Sequence, residues 1–307
     1  MSADQLLIFF AGIVGGALRV GAPFLFVSLG ECITEKSGRI NLGLEGVLVL
    51  SAMSAFGASY LSGSAWIGVL AAATTGALLA TLHGVLCSLP RVNDIATGIA
   101  LMLLGMGLAF YLGKPLIQPQ APQLPAIALG NWSDSAAVRS ALQINALVPI
   151  GIALAVALWW AFANTRAGLL VRMAGDSANA TRALGYSVSA IRIAATAAGG
   201  MVAGLGGACL TLFYPGSWNE GISSGQGLIA VALVIFARWS PIRCVYASLL
   251  FGGAGAIGPA LQSIGISWGY HLFNIVPYVL TLLILVITCR PGTTVSGSPG
   301  ELSSSTQ

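Results

Sequence analysis

Of the 307 residues, 56% are hydrophobic and only 7% are charged, with a mean hydropathy of +0.89 and a formal net charge of +4. A soluble domain carries about 25% charged residues to clothe its surface, so these proportions exclude an ordinary water-soluble fold and point to a chain that lives in a bilayer. The five cysteines stand singly in apolar surroundings without a CxxC pair, which argues for small buried hydrophobes over disulfides or a metal site.

The chain opens on MSADQLLIFF, which lacks the basic segment of a removable signal peptide. Its first apolar run, roughly 5–30, is a candidate crossing that contains Arg19, Gly21 and Pro23, and it reads as one helix or two. KSGRINLGLEG follows at residues 36–46, packing three charges, an Asn and three glycines between two apolar runs. Lys36 and Arg39 mark a membrane boundary, and Asn41 is a candidate N-cap for the next helix. Glu45 then falls in the first turns of that helix, where the dipole favours a negative charge. A charge at membrane depth costs about 2.5–3.5 kcal/mol on insertion scales and is a functional candidate for that reason. Both the structural and the functional reading of Glu45 stand.

Further crossings are expected at about 41–61, 65–89, 93–113, 145–164, 189–213, 225–237, 244–264 and 270–289. The expectation is therefore an all-α polytopic bundle of nine spans, with eight to ten compatible, over a transmembrane domain of residues 1–290. The run GQGLIAVALVIFA is short for a crossing, at about 20 Å if helical, and needs shielding by protein or extension into its flanks. The proline-rich loop 114–144 reads as irregular and placed over an entrance. The tail 291–307, PGTTVSGSPGELSSSTQ, reads as disordered and cytoplasmic. Glycines at GxxxG spacing, Gly12/Gly16 and Gly200/Gly204, and the run Gly252–Gly258 read as sites of close helix packing.

Orientation follows from the basic residues. With the loop 165–188 placed in the cytoplasm, ten of the thirteen Lys and Arg fall on that side, and only Lys114 and Arg139 fall outside. That loop is patterned: Asp176 or Ser177 can cap a short helix over ANATRAL, which Gly185 would end. A helix offered to a partner and a plain basic surface loop both fit this pattern.

Enzymatic chemistry finds little support. Nine carboxylates and two isolated histidines, His83 and His271, form no zinc spacing and no nucleophile elbow. A Walker A loop requires Gly-Lys followed by Ser or Thr, whereas Lys114 precedes Pro115 and Lys36 follows Glu35. Transport remains, with Arg19, Glu31, Glu45, His83, Asp94 and His271 as polar candidates at membrane depth. An ion-driven secondary transporter would need inverted repeats and a partnered intramembrane carboxylate, and neither is evident.

GRINLGLEGVLVLSAMSAF, TRAGLLVRMAGDSANATRALGYSV, GQGLIAVALVIFARWSPI and VPYVLTLLILVI together resemble the permeases of bacterial ABC importers. The family is that of the branched-chain amino acid, ribose and nucleoside permeases, and the likeness is closest to its nucleoside or simple-sugar branch. The resemblance implies one permease half in the inner membrane, a second, related permease subunit, two cytoplasmic ATP-binding subunits and an extracytoplasmic substrate-binding protein. It implies no cofactor and no nucleic acid polymer as partner. By the same resemblance Gly175, Asp176, Asn179, Ala180, Arg182 and Gly185 belong to a coupling helix seated in the ATPase. Asn41, Glu45 and Asn93 match positions that are candidates for the translocation path. Met102 stands where the resemblance leads one to expect a second polar residue.

Overall fold

A computed structural model describes residues 3–117, 119–213, 216–263, 275–288 and 297–304. The first apolar run forms one unbroken helix, α1 (Ala3–Lys36), longer than its expected bounds. Pro23 leaves one intrahelical bond unmade, yet the helix continues because neighbouring helices pack around it. Then come α2 (Leu44–Ser62), α3 (Ala65–Leu86) and α4 (Asp94–Gly113). The long loop beyond α4 carries a small antiparallel ribbon, β1 (Ala126–Ala128) with β2 (Gln143–Asn145), enclosing α5 (Ala136–Ala141). It is tied down: Ser59 donates to the Pro122 carbonyl at 2.8 Å, Leu124 N–H to Leu212 at 2.8 Å, and Arg19 to Ala141 at 3.0 Å.

The second half runs α6 (Leu147–Asn164), α7 (Arg166–Asp176), α8 (Ala178–Ala183), α9 (Val188–Leu212), α10 (Gln226–Phe236), α11 (Pro241–Ser263), α12 (Val276–Thr288) and α13 (Gly300–Ser304). Among the described residues, seven helices are long and apolar enough to cross a membrane: α1, α2, α3, α4, α6, α9 and α11. The expected span at 225–237 appears as α10, whose eleven residues reach only about 16 Å. The span expected at 270–289 lies in part outside the described residues, as do His271, Cys289 and Arg290. Within the tail expected to be disordered, Gly300–Ser304 is a helical turn, and Glu301 accepts from the Ala178 N–H at 2.9 Å and pairs with Arg192 at 3.3 Å.

α9 stands at the centre, packed against α1, α2 and α3. With no water to drive association in lipid, helices gain by bringing backbones close. Gly76 and Gly204 show the requirement: a Cβ added at Gly76 would lie 2.9 Å from the Gly204 Cα. The Lys36 end of α1 gathers the ends of several other helices. Lys36 Nζ stands 5.4 Å over the Phe162 ring of α6, Arg39 pairs with Asp94 of α4 at 2.5 Å, and Arg192 of α9 donates to the Ser37 carbonyl at 3.0 Å. Most basic residues of the chain collect at this end, which is called the basic end below.

Candidate functional site

The segment after α1 does not leave the bundle. Gly38, at φ +83°, turns the chain back on itself in a conformation that a side chain would strain. The chain then climbs back between the helices. His83 Nε2 stands 3.1 Å from the Ile40 carbonyl, which accepts from it. The Asn41 N–H donates to Glu31 Oε1 at 2.8 Å. Glu31 is wholly buried and therefore does not reach to the membrane surface. Asn41 does not cap α2: the N-cap is Gly43, without a side-chain bond, and the Asn41 carboxamide oxygen accepts from the Gly43 N–H at 2.9 Å in a local turn. The capping expectation fails because the chain is still turning at Asn41.

α2 consequently begins inside the bundle. A Cβ on Gly46 would meet the Met102 Cα at 2.7 Å, eight residues along α4, about 12 Å up from its start. At this depth Glu45 is buried, and three donors converge on it. Oε1 accepts from Ser223 Oγ at 2.5 Å and Gly225 N–H at 3.0 Å, and Oε2 accepts from Gly227 N–H at 2.7 Å. These donors are the N-terminus of α10. The Glu45 carboxylate thus lies at two helix N-termini, its own and that of α10, and complements both dipoles. Gly227 is required here, since a Cβ would sit 2.6 Å from the Glu45 Cα.

The other end of α10 is also held by a glutamate. Glu35, in the last turn of α1 and buried, accepts from the Trp239 indole N–H. Arg238 and Trp239 both adopt positive φ, +50° and +53°, which turns the chain sharply into α11. α10 is therefore a half-length helix fixed between Glu45 near the bundle's middle and Glu35 at the basic end. Discontinuous helices of this kind are tolerated at membrane depth only where protein or a cavity surrounds them.

Asn93 is exposed and caps α4, its oxygen accepting from Ile95 N–H at 2.9 Å and Ala96 N–H at 3.0 Å. The structure brings Asn41 and Glu45 together in one segment and leaves Asn93 below them, beside the Arg39–Asp94 pair. Ser223, Gly225, Gly227, Glu35 and Trp239 escaped the sequence reading. The signal was the run SSGQG ahead of an apolar stretch too short to cross.

The six residues of the 165–188 loop divide in two. Gly175, at the end of α7, is buried against α1, where a Cβ would stand 3.1 Å from the Gly38 N. Asp176 is exposed at the α7–α8 junction, and Asn179, Ala180, Arg182 and Gly185 are exposed along and just beyond α8. Ser177 caps α8, its hydroxyl accepting from the Ala180 N–H at 3.2 Å. Gly185, at φ +83°, ends the helix with the paired bonds of a Schellman turn, Gly185 N–H to Arg182 at 2.9 Å and Tyr186 N–H to Thr181 at 3.2 Å. Leu184 and Tyr186 are exposed beside it.

A helical membrane bundle with a broken helix at its centre and a short exposed helix at its basic end has the parts of a transporter subunit. Residues 13–287 match the family described as the permease component of the branched-chain amino acid transport system. The chain belongs to that family. It is 31% identical, over 84% of its length and 80% of the relative's, to the putative glucose ABC transporter permease protein TsgC13 of Haloferax volcanii. It is 29% identical to the nucleoside ABC transporter permease protein NupC of Lactococcus lactis, over 90% and 91% of the two chains. With the guanosine ABC transporter permease protein NupQ of Bacillus subtilis it shares 28% identity over 89% and 90%. As a permease of this family the chain is not an enzyme, and ATP is hydrolysed on a separate subunit.

Proposed function

We propose that this permease forms one half of the translocation path of an ATP-driven importer for a nucleoside or a simple sugar. The observation that carries the reading is the family match along nearly the whole chain, together with relatives named for nucleosides, guanosine and glucose. It sits in the inner membrane with the basic end in the cytoplasm, where positively charged loops are retained. Nine crossings are the topology we adopt, with α10 extended by its flanks. Two ATP-binding subunits act from the cytoplasm, a substrate-binding protein delivers the solute outside, and a second, related permease completes the path.

In this reading α8 is the coupling helix. Asp176, Asn179, Ala180, Arg182 and Gly185 meet the ATPase, while Gly175 couples inward. Close packing makes Gly175 a stiff contact: α7 cannot shift without moving Lys36 and Gly38. Those residues lead directly into the re-entrant segment, to Asn41 and to Glu45, which grips α10. ATP-driven displacement of α8 is thereby passed to a half-helix in the middle of the membrane, and Asn93 fixes where α4 starts beside it. Mass spectrometry of material co-purified in mild detergent tests the assembly: an ATPase and a second permease are expected. Recovery of the chain alone, active in liposomes without ATP, would refute it.

A further inference from the structure

At the basic end, a cavity of about 400 Å³ opens between α1, α6, α7 and the α10–α11 turn. Its charged lining is Lys36, Arg172, Arg238 and Arg243, and its aromatic walls are Trp159, Phe162 and Trp239. We propose that this cavity binds a phosphate-bearing anion, supplied in the membrane by the headgroup of an anionic phospholipid.

Three observations carry this. First, Lys36, Arg172 and Arg243 face one cavity beside Arg238, and among the described residues no carboxylate lines it. The nearby Glu35 lies beneath Trp239 with an oxygen committed to the indole. The charges of Lys36, Arg172 and Arg243, gathered in this way, repel unless a counter-ion joins them. The orientation rule explains why these residues lie on one side of the membrane, but it does not require them to meet around a single pocket. Second, Arg172 Nε is buried and has no hydrogen-bond partner among the described residues. A buried donor left unmade is costly, and guanidinium donors suit phosphate oxygens.

Third, the position is that of a headgroup. The cavity lies where α1, α6 and α10 end and α11 begins, which is one membrane face. Trp159, Trp160 and Tyr246 are well exposed around it, as interfacial aromatics are. Further along α6 and α11 the surface turns apolar, with Ile152, Val156 and Leu250 exposed to take acyl chains. Basic pockets between helices on the cytoplasmic side are a recurrent means of holding anionic headgroups. The site also touches the transmission route, because Lys36 and Trp239 belong to it and Arg172 lies on α7.

The test is native mass spectrometry of the purified full-length protein with dioleoylphosphatidylglycerol, dioleoylphosphatidylcholine or sodium phosphate added. One phosphatidylglycerol should be retained in preference to phosphatidylcholine. Its apparent affinity should fall at least tenfold in Arg172→Gln/Arg243→Gln and recover in Arg172→Lys/Arg243→Lys. Arg243→Gln alone, at an exposed position, should weaken binding in a protein that still elutes as wild type in size exclusion. If sodium phosphate binds and displaces the lipid, with the same loss in the double variant, the phosphate chemistry holds and its source is soluble. Equal retention of phosphatidylglycerol by wild type and double variant overturns the proposal. So does a double variant that keeps the lipid but loses the ATPase subunits, since the cluster would then be a protein-docking surface.

Discussion

Glu45→Gln preserves the shape of the side chain and removes its ability to accept from three donors. The amide has one oxygen. Placed at the Oε1 position it still serves Ser223 and Gly225, but its NH2 then faces the Gly227 N–H, which the carboxylate met at 2.7 Å. The Gly227 N–H is buried without an acceptor, at roughly 1–3 kcal/mol, and two charge-assisted bonds become neutral ones at about 1 kcal/mol each. Loss of the charge at the α10 N-terminus adds up to about 1 kcal/mol more. The sum is about 3–6 kcal/mol against the native arrangement of α10, enough to detach its N-terminus. A double-mutant cycle with Ser223→Ala reads the charge-assisted part of that one bond and should return a coupling of about 1 kcal/mol in detergent stability. ATP-driven uptake by the reconstituted importer should be abolished in Glu45→Gln. Wild-type stability and uptake in that variant, or a cycle that closes to zero, would refute the account of α10 as a helix held by Glu45.

Gly185→Ala places a side chain at φ +83° where no neighbouring atom obstructs it, so the cost is backbone strain alone, about 1 kcal/mol; α8 should fray and uptake fall with membrane insertion intact, whereas Arg182→Glu should uncouple ATP hydrolysis from uptake through charge. Cys87 is buried at the end of α3, so its labelling by a maleimide should be negligible at pH 7. In a background without the other native cysteines, an engineered Ser177→Cys should label quickly at pH 7 and only from the cytoplasm; equal rates for the two positions would contradict the burial. Glu301→Ala removes the acceptor for Ala178 N–H and the partner of Arg192, a part-exposed contact worth about 1 kcal/mol, and limited proteolysis should then clip the tail ahead of Gly300 faster than in wild type.

The long apolar helices were legible because a hydrophobic run of membrane length carries its own signal, and α3, α4 and α6 need nothing else to be placed. The Schellman turn at Gly185 was legible because cap chemistry is local. The re-entrant segment was not. Its polar residues look like a membrane boundary in sequence, and only the bonds from Asn41 to Glu31 and from α10 to Glu45 draw it inward. The second of these joins residues about 180 apart in sequence, and no periodicity records such a pairing. Gly175 misled in a different way: beside exposed residues of one motif, it packs inward against α1. Ser- and Gly-rich composition suggests disorder in the tail, yet at Gly300–Ser304 the acidic Glu301 helps dock a helical turn.

The cluster KSGRINLGLEG is polar because a helix stops inside the membrane beside it. A helix that begins there exposes N–H groups to a medium with no water, and they must find acceptors within the protein. A single carboxylate can take three at once, whereas a hydroxyl accepts at most two. Glu45 therefore sits where α10 starts, and Gly227 allows it to approach closely. The consequence for transport is a restriction on the solute. Glu35 and Glu45 are committed to donors of the protein itself, Arg39 is committed to Asp94, and Glu31 accepts at Oε1 while its Oε2 is buried without a partner among the described residues. Glu35, Glu45 and Arg39 thus serve the fold and do not await a ligand. A path built beside them suits an uncharged, hydroxyl-bearing solute, whose recognition rests on neutral hydrogen bonds, and that is the chemistry of a nucleoside or a simple sugar.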